Sequence, residues 1–182
     1  KLLIRTASKL YCMTNGAKLD AATAARMQPR RPTASPTDLW TAARKGNLKE
    51  LQRLLKAGTK VNARQGGSGM TALNTAAIYG QTEAAELLIS NGADVALANN
   101  DGNSALHIAS FFAHTELVEL LLDNGASVTA KSKRGETPVE VVSADWNDQL
   151  EQTYTTIGNL VGVKLNFDRI REARPMIAER LR

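Results

Sequence analysis

The chain has 182 residues, 43% hydrophobic but only 4% aromatic, so its core must be aliphatic, a composition that suits packed helices of Ala and Leu. Its formal net charge of +5 belongs to the ends: residues 1–36 carry +6, residues 37–163 carry −4 and residues 164–182 carry +3. A mildly acidic middle argues against a nucleic-acid reader, which needs a basic face; the single cysteine, Cys12, supports neither a disulfide framework nor a metal cluster, and no run of about 18 apolar residues offers a transmembrane helix.

Residues 1–28 are rich in Lys, Arg, Ala, Thr and Ser, with Asp20 the only acid. Leu3, Ala7, Leu10 and Thr14 fall near helical spacing, closer to an amphipathic transit-type presequence than to a secretory signal. A disordered basic arm is the plainer reading. Beginning at Lys1 rather than Met, the chain reads as a fragment or a processed form. Residues 29–36 (PRRPTASP) hold three of the five prolines, a linker composition that places a domain boundary before Thr37.

From Thr37 the sequence repeats itself. The segment from Thr71 to Gly80 (TALNTAAIYG) aligns with that from Ser104 to Ala113 (SALHIASFFA), and a third opening, TPVEVVS, starts at Thr137. The three starts are 33 residues apart, twice over. Gly58, Gly92 and Gly125 recur at spacings of 34 and 33, each followed by a valine three residues on: Val61, Val95 and Val128. A fixed period of this size signals stacked units. Each unit has a short apolar segment, a break near Gly46, Gly80 or Ala113, and a longer segment. The longer segments carry a helical stripe, Leu51/Leu54/Leu55, Ala85/Leu88/Ile89 and Val118/Leu121/Leu122. Thr71, Ser104 and Thr137 stand where N-caps belong, and the three glycines where left-handed helix ends belong. Each unit is therefore helix, turn, helix, loop.

These residues resemble the ankyrin repeat. Ser104-Ala-Leu-His-Ile-Ala109 and Thr137-Pro-Val139 match the family's T-P-L-H-x-A opening. Asp101-Gly-Asn103 and Arg134-Gly-Glu136 match the hairpin tip before it, and Asn91–Val95 and Asn124–Val128 the stretch after the second helix. The resemblance implies an all-α solenoid of stacked helix-turn-helix units with β-hairpin-like loops. The repeats cover residues 37–145, as 37–70, 71–103, 104–136 and a partial 137–145. The first unit lacks a preceding hairpin and reads as a cap. Its loop, through Gln65–Met70, is longer and glycine-rich, and Asn74 and Glu140 replace the typical His. After Ser143 the pattern is lost. Trp146, Leu150, Tyr154, Ile157 and Leu160 continue at helical spacing, and Asp168 is the expected N-cap of a last helix whose face is Ile170, Ala173, Ile177 and Leu181. Pro175 should bend or split that helix. Residues 146–182 are read as C-terminal capping helices, since a stack needs polar ends. They also resemble tails of bacterial ankyrin proteins.

Gly67-Ser-Gly-Met-Thr-Ala72 fits G-x-G-x-x-A, but no apolar strand precedes it, and the repeat register explains its glycines as a hairpin tip. His107 and His114 lie on either side of a break and lack further ligands, so neither metal nor cofactor is expected. His107 holds the family's structural position, where the ring braces a loop. No base is paired with Ser, Thr or Cys12, so no catalytic residue is expected and the chain is not read as an enzyme. Asp145, Asp148 and Glu151 form an acidic surface, solvated unless a basic partner docks there.

What the resemblance implies is a protein-protein interaction module, a scaffold that binds a protein or peptide through its concave face. The alternative is a regulatory subunit or inhibitor of a neighbouring enzyme, using the same face. The partner-binding residues carried over at the tips are Arg64 and Met70, then Asn100, Asp101 and Asn103, then Lys133, Arg134 and Glu136. On the first helices, before each break, they are Arg44 and Lys45, Ile78 and Tyr79, Phe111 and Phe112. Aromatic anchors ringed by polar residues favour binding, and burying one such ring contributes about 2 kcal/mol or more. Neighbouring residues on a helix point about 100° apart. At least one of the Phe111–Phe112 pair is thus open to packing inside, and Phe111 and Tyr79 are the rings expected partly exposed. A monomer is expected, with an intracellular soluble protein favoured and an organelle-targeted or exported form compatible with the basic first segment.

Overall fold

Helices of six to nine residues are too short to stand alone in water, where about 12–15 residues are needed for marginal stability. Among the described residues seven such helices form, so each must be held by its neighbours. The structure is a computed structural model that describes residues 38–182 and the stretches Arg5–Thr6 and Lys9–Leu10. The chain divides into two units, Lys1–Pro36 and Thr37–Arg182. In the first, β1 (Arg5–Thr6) pairs antiparallel with β2 (Lys9–Leu10). The presequence-like arm and Pro-rich linker expected over 1–36 otherwise lie outside the described residues.

The second unit is all helical. Inner helices α1 (Leu39–Arg44), α3 (Ala72–Tyr79), α5 (Ala105–Phe111) and α7 (Pro138–Ser143) pack side by side in one row. Outer helices α2 (Leu48–Lys56), α4 (Thr82–Ser90) and α6 (Thr115–Asp123) form a second row behind them. The anticipated caps form. Thr71, Ser104 and Thr137 each open their helix in a capping box with Asn74, His107 and Glu140. The core is aliphatic, as the composition requires: Leu39, Leu51, Leu73, Leu88, Leu106, Leu117 and Leu121 are fully buried among alanines. Between inner and outer helix the chain turns in the left-handed region, at Gly46 (φ 61°), Gly80 (φ 63°) and Ala113 (φ 56°). A Cβ at Gly80 would stand 2.6 Å from the His114 ring, so a side chain there is opposed by space in addition to the strain of its φ.

Two longer helices follow, α8 (Asp148–Val161) and α9 (Phe167–Arg180). α9 is the outer helix of the fourth unit. It packs on α7 and α6 as α4 and α6 each pack on their own inner helix and on the outer helix before them. It buries Ile170, Ala173, Ile177 and Leu181, the face read from the sequence. Its N-cap is Asn166, whose side chain accepts from the Arg169 N–H, rather than Asp168. Pro175 lies within the helix without splitting it; the carbonyl it leaves unpaired belongs to Arg171, an exposed residue that water can reach. The sequence alone ends the fourth unit near 145 because α8 is inserted between its two helices and breaks the period.

The ends of the inner helices show how the rows are joined. Their last carbonyls have no partner within the helix. In each unit the equivalent carbonyl accepts from a side chain further along the chain. Gln81 Nε2 donates to Arg44 O at 3.3 Å, His114 Nε2 to Ile78 O at 3.3 Å, and Tyr154 OH to Phe111 O at 2.8 Å. Arg174 donates to Ala144 O at 2.7 Å and to Val141 O at 3.3 Å. Arg169 adds bonds to Phe112 O and Ala113 O. Cations at helix C-termini also meet the negative end of the helix dipole.

If α9 is the fourth outer helix, truncating it must cost as much as truncating α6. Ile177→Ala is expected to destabilise the protein by about 2–4 kcal/mol, as Leu121→Ala should. Denaturant unfolding measures this, and a cost below about 1 kcal/mol for Ile177→Ala would mark α9 as a loosely held tail.

Candidate functional site

The loops between units are hairpins that face away from the helix turns. Each closes on itself: Gln65 N–H donates to Met70 O, Asn99 N–H to Asn103 O, and Ser132 N–H to Glu136 O, at 2.8–2.9 Å. Neighbouring tips are also tied to one another. Asn100 N–H donates to Ser68 O and Lys133 N–H to Asp101 O, both at 2.9 Å. Two of the expected contact residues serve this ribbon: Arg64 donates to Ala98 O, and Asn100 Nδ2 to Gly67 O. Met70 and Asn103 are half-buried at hairpin bases, and Met70 O also accepts from Trp40 Nε1 at 2.8 Å. Asp101, Lys133, Arg134 and Glu136 stand exposed along the tips, and Arg44 and Lys45 at the foot of α1.

The aromatic part of the expected strip lies elsewhere in the packing. Phe112 is buried at 4% exposure and Ile78 at 8%, so neither offers a ring or a methyl surface to a partner. Tyr79 and Phe111 are half-buried, as their helix positions require, but they meet the chain's own α8. Tyr154 stacks on Phe111 with ring centroids 4.3 Å apart, and Tyr79 OH donates to Val161 O at 2.6 Å. The seven steps from Tyr154 to Val161 rise about 10 Å, close to the roughly 8–10 Å between packed helices. α8 therefore runs across the inner row from the third unit to the second. Leu150, Ile157 and Val161 are half-buried on its inward stripe. Leu160, expected on that stripe, is 84% exposed, because a 3.6-residue period puts 161 rather than 160 under Tyr154.

The foot of α8 is an aromatic cluster. Trp146 stacks on Tyr154 at 5.5 Å, meets Phe167 edge-on at 6.0 Å, and carries the Arg171 guanidinium 4.9 Å over its ring. Glu151 is drawn into it, accepting from Trp146 Nε1, while Asp145 and Asp148 stay exposed. Arg169 and Arg174 were not picked out from the sequence, and Tyr154 only as a member of a helical stripe. Arg174 carried a signal: it falls four residues after Ile170 on an otherwise apolar face, and it is 4% exposed.

His107 sits at the base of the hairpin row. Its Nδ1 accepts from Ser104 N–H at 3.3 Å and faces the Ser104 hydroxyl at 2.8 Å, leaving Nε2 to donate to Glu136 O at 3.1 Å. That is the neutral ring bracing the next hairpin. Asn74 does the same job with a shorter reach, its Nδ2 donating to Leu97 O at 3.4 Å. Glu140 keeps only the capping box. Among the described residues no three His, Cys, Asp or Glu side chains gather into a metal-binding group.

Residues 39–132 match the family description ankyrin repeats (3 copies). The chain belongs to the ankyrin-repeat family. It is also similar to Notch-regulated ankyrin repeat-containing protein from Xenopus tropicalis, with 48% identity over 64 residues that cover 33% of this chain and 55% of the relative. The proteins of that name from Homo sapiens and Mus musculus match to the same extent. The chain spans about half the length of these curated relatives. Ankyrin repeats in general are protein-protein interaction modules, and proteins built from them act in general as adaptors rather than enzymes. Among the described residues no helix is long and apolar enough to cross a membrane.

Both histidines of this ankyrin stack titrate below the ordinary imidazole range, first because burial penalises their charged form; beside His114, the Arg169 guanidinium adds to the effect. A depressed folded-state pKa means that the unfolded chain takes up the proton first. Stability is then full above about pH 6.5 and is lost as pH falls below it. The repeats themselves supply neutral replacements, Asn74 for His107 and Gln81 for His114. The double variant His107→Asn, His114→Gln is expected to flatten the loss of stability between about pH 7.5 and 5.5, measured by denaturant unfolding. An unchanged pH dependence would contradict the neutral-ring assignment.

Proposed function

We propose that this chain is an adaptor that holds a protein partner along its row of hairpin tips and the adjoining inner face. The observation that carries this is the tip ribbon. Its backbone is fixed by hydrogen bonds from one hairpin to the next, so the exposed Asp101, Lys133, Arg134 and Glu136 are presented in a set order. Preorganised surfaces lose less entropy on binding. Charges of both signs held in order along a strip select for a partner with the complementary order. Arg44 and Lys45, exposed at the C-terminal end of α1, add charge to the inner face at the first unit, apart from the α8 contacts with Tyr79 and Phe111. The oligomeric state proposed with this reading is a monomer, and the partner is a protein or peptide rather than a nucleic acid.

The relevant variant reverses two tip charges, Asp101→Arg with Arg134→Glu, beside a control, Glu116→Lys, on the exposed side of α6. Affinity capture from native extract with mass spectrometry should retain a partner on the wild type and on the control. The tip variant should lose about tenfold or more of it. Equal retention by all three proteins, each with unchanged circular dichroism, would overturn the assignment.

A further inference from the structure

Four features set α8 apart from the stack it covers. It is inserted within the fourth unit, whose outer helix is complete without it. Of its fourteen residues only Tyr154 and Gly158 are buried, whereas α9 at the same length buries Ile170, Ala173, Arg174, Ile177 and Ala178. Its middle is weakly helical by composition. Thr153, Thr155 and Thr156 turn their hydroxyls back to carbonyls four residues earlier, and Gly158 follows. Finally, its departure leaves no buried charge stranded. Tyr154 OH accepts from Arg174 at 2.7 Å, but Arg174 keeps Val141 O and Ala144 O when that hydroxyl leaves. What departure uncovers is the Phe111 ring and its carbonyl, the Tyr79 hydroxyl, and the apolar face between them.

We infer that α8 is a displaceable internal ligand: it occupies the inner face in place of a partner helix, which must remove it to bind. This rests on the adaptor reading given above and adds the regulation of that site and the chemistry of its occupant. The occupant is an amphipathic helix like α8 itself. It carries an aromatic hydroxyl for Phe111 O, a small residue four positions on, and apolar residues on the same stripe, as Leu150, Tyr154, Gly158 and Val161 are placed. Its polar face is uncharged, like Gln152, Thr155, Thr156 and Asn159 of α8. A helix of this kind enters by an i, i+4, i+8 pattern of anchors. The cover lowers apparent affinity by the fraction of molecules in which α8 is seated.

Hydrogen exchange followed by mass spectrometry on the full wild-type chain tests whether α8 opens by itself. Its amides are expected to exchange about tenfold or more faster than those of α9, with the inner helices protected throughout. Exchange of α8 and α9 together, at the rate of the stack, would overturn the proposal. A second measurement uses a labelled peptide of residues 145–163 as probe. A chain with residues 148–161 replaced by Gly/Ser linker, circular dichroism confirming its repeat helices, should bind the peptide saturably. It should bind the same peptide with Tyr154→Ala more weakly, and the wild-type chain should bind the unaltered peptide about tenfold more weakly than the linker chain. A folded linker chain that ignores the peptide overturns the proposal, and if that chain fails to fold the exchange result decides alone. Both measurements involve this chain alone, so their outcome stands apart from whether the tip variant loses a captured partner.

Discussion

Each inner helix ends in carbonyls that it cannot satisfy, and the rest of the stack follows from that shortage. A six- to eight-residue helix has a large share of its backbone at its ends. Leaving such a group buried and unpaired costs about 1–3 kcal/mol. The solution is the same four times over: a side chain from further along the chain reaches back to Arg44 O, Ile78 O, Phe111 O or Ala144 O. The donors differ, being Gln81, His114, Tyr154 and Arg174, because the site asks only for a donor at one place. This bond, repeated, ties each inner helix to the segment that follows it, beside the apolar packing.

The same requirement explains the odd end of the protein. At the third unit the position that holds Gly46 and Gly80 is Ala113, which keeps the left-handed turn despite its methyl group. The residue that follows in register is not a ring pressed against that turn. Arg169 arrives from α9 and takes Phe112 O and Ala113 O, while the Phe111 carbonyl is left to Tyr154. The inserted helix and the displaced outer helix thus divide between them what one residue does elsewhere. α8 is held over Phe111 by the chemistry of a repeat junction, and its length carries it on to Tyr79.

Much of this was legible in the sequence because it is periodic. Thr71, Ser104 and Thr137, the glycines at 58, 92 and 125, and the leucine stripes each recur in register, and each took its expected place. The face of α9 was legible too, since Ile170, Ala173, Ile177 and Leu181 keep helical spacing. What was not legible is what those residues pack against. An insertion destroys the period, so α9 could not be assigned to the fourth unit, and no pattern within 148–161 tells whether its stripe meets the end of the stack or its inner face. Phe111 and Tyr79 were expected partly exposed and are half-buried under α8, because a surface that one unit exposes is open to cover by any segment of the same chain. The acidic residues after Ser143 show the same limit: Glu151 is spent on Trp146, and Asp145 and Asp148 are not.

The structure thus presents two surfaces beside the inner helices, a ribbon of exposed tips and an inner face occupied by the chain's own helix. Under the proposed displacement, binding at the inner face depends on where α8 rests. The most direct measurement is a set of interproton contacts in solution by nuclear magnetic resonance, between the rings of Phe111 and Tyr154, whose centroids lie 4.3 Å apart, and between the Tyr79 ring and Val161. Strong cross-peaks for both pairs, together with contacts from Ile177 to the α6 and α7 methyl groups, are expected. Contacts from Ile177 without either aromatic pair would show that α8 does not lie on the inner face.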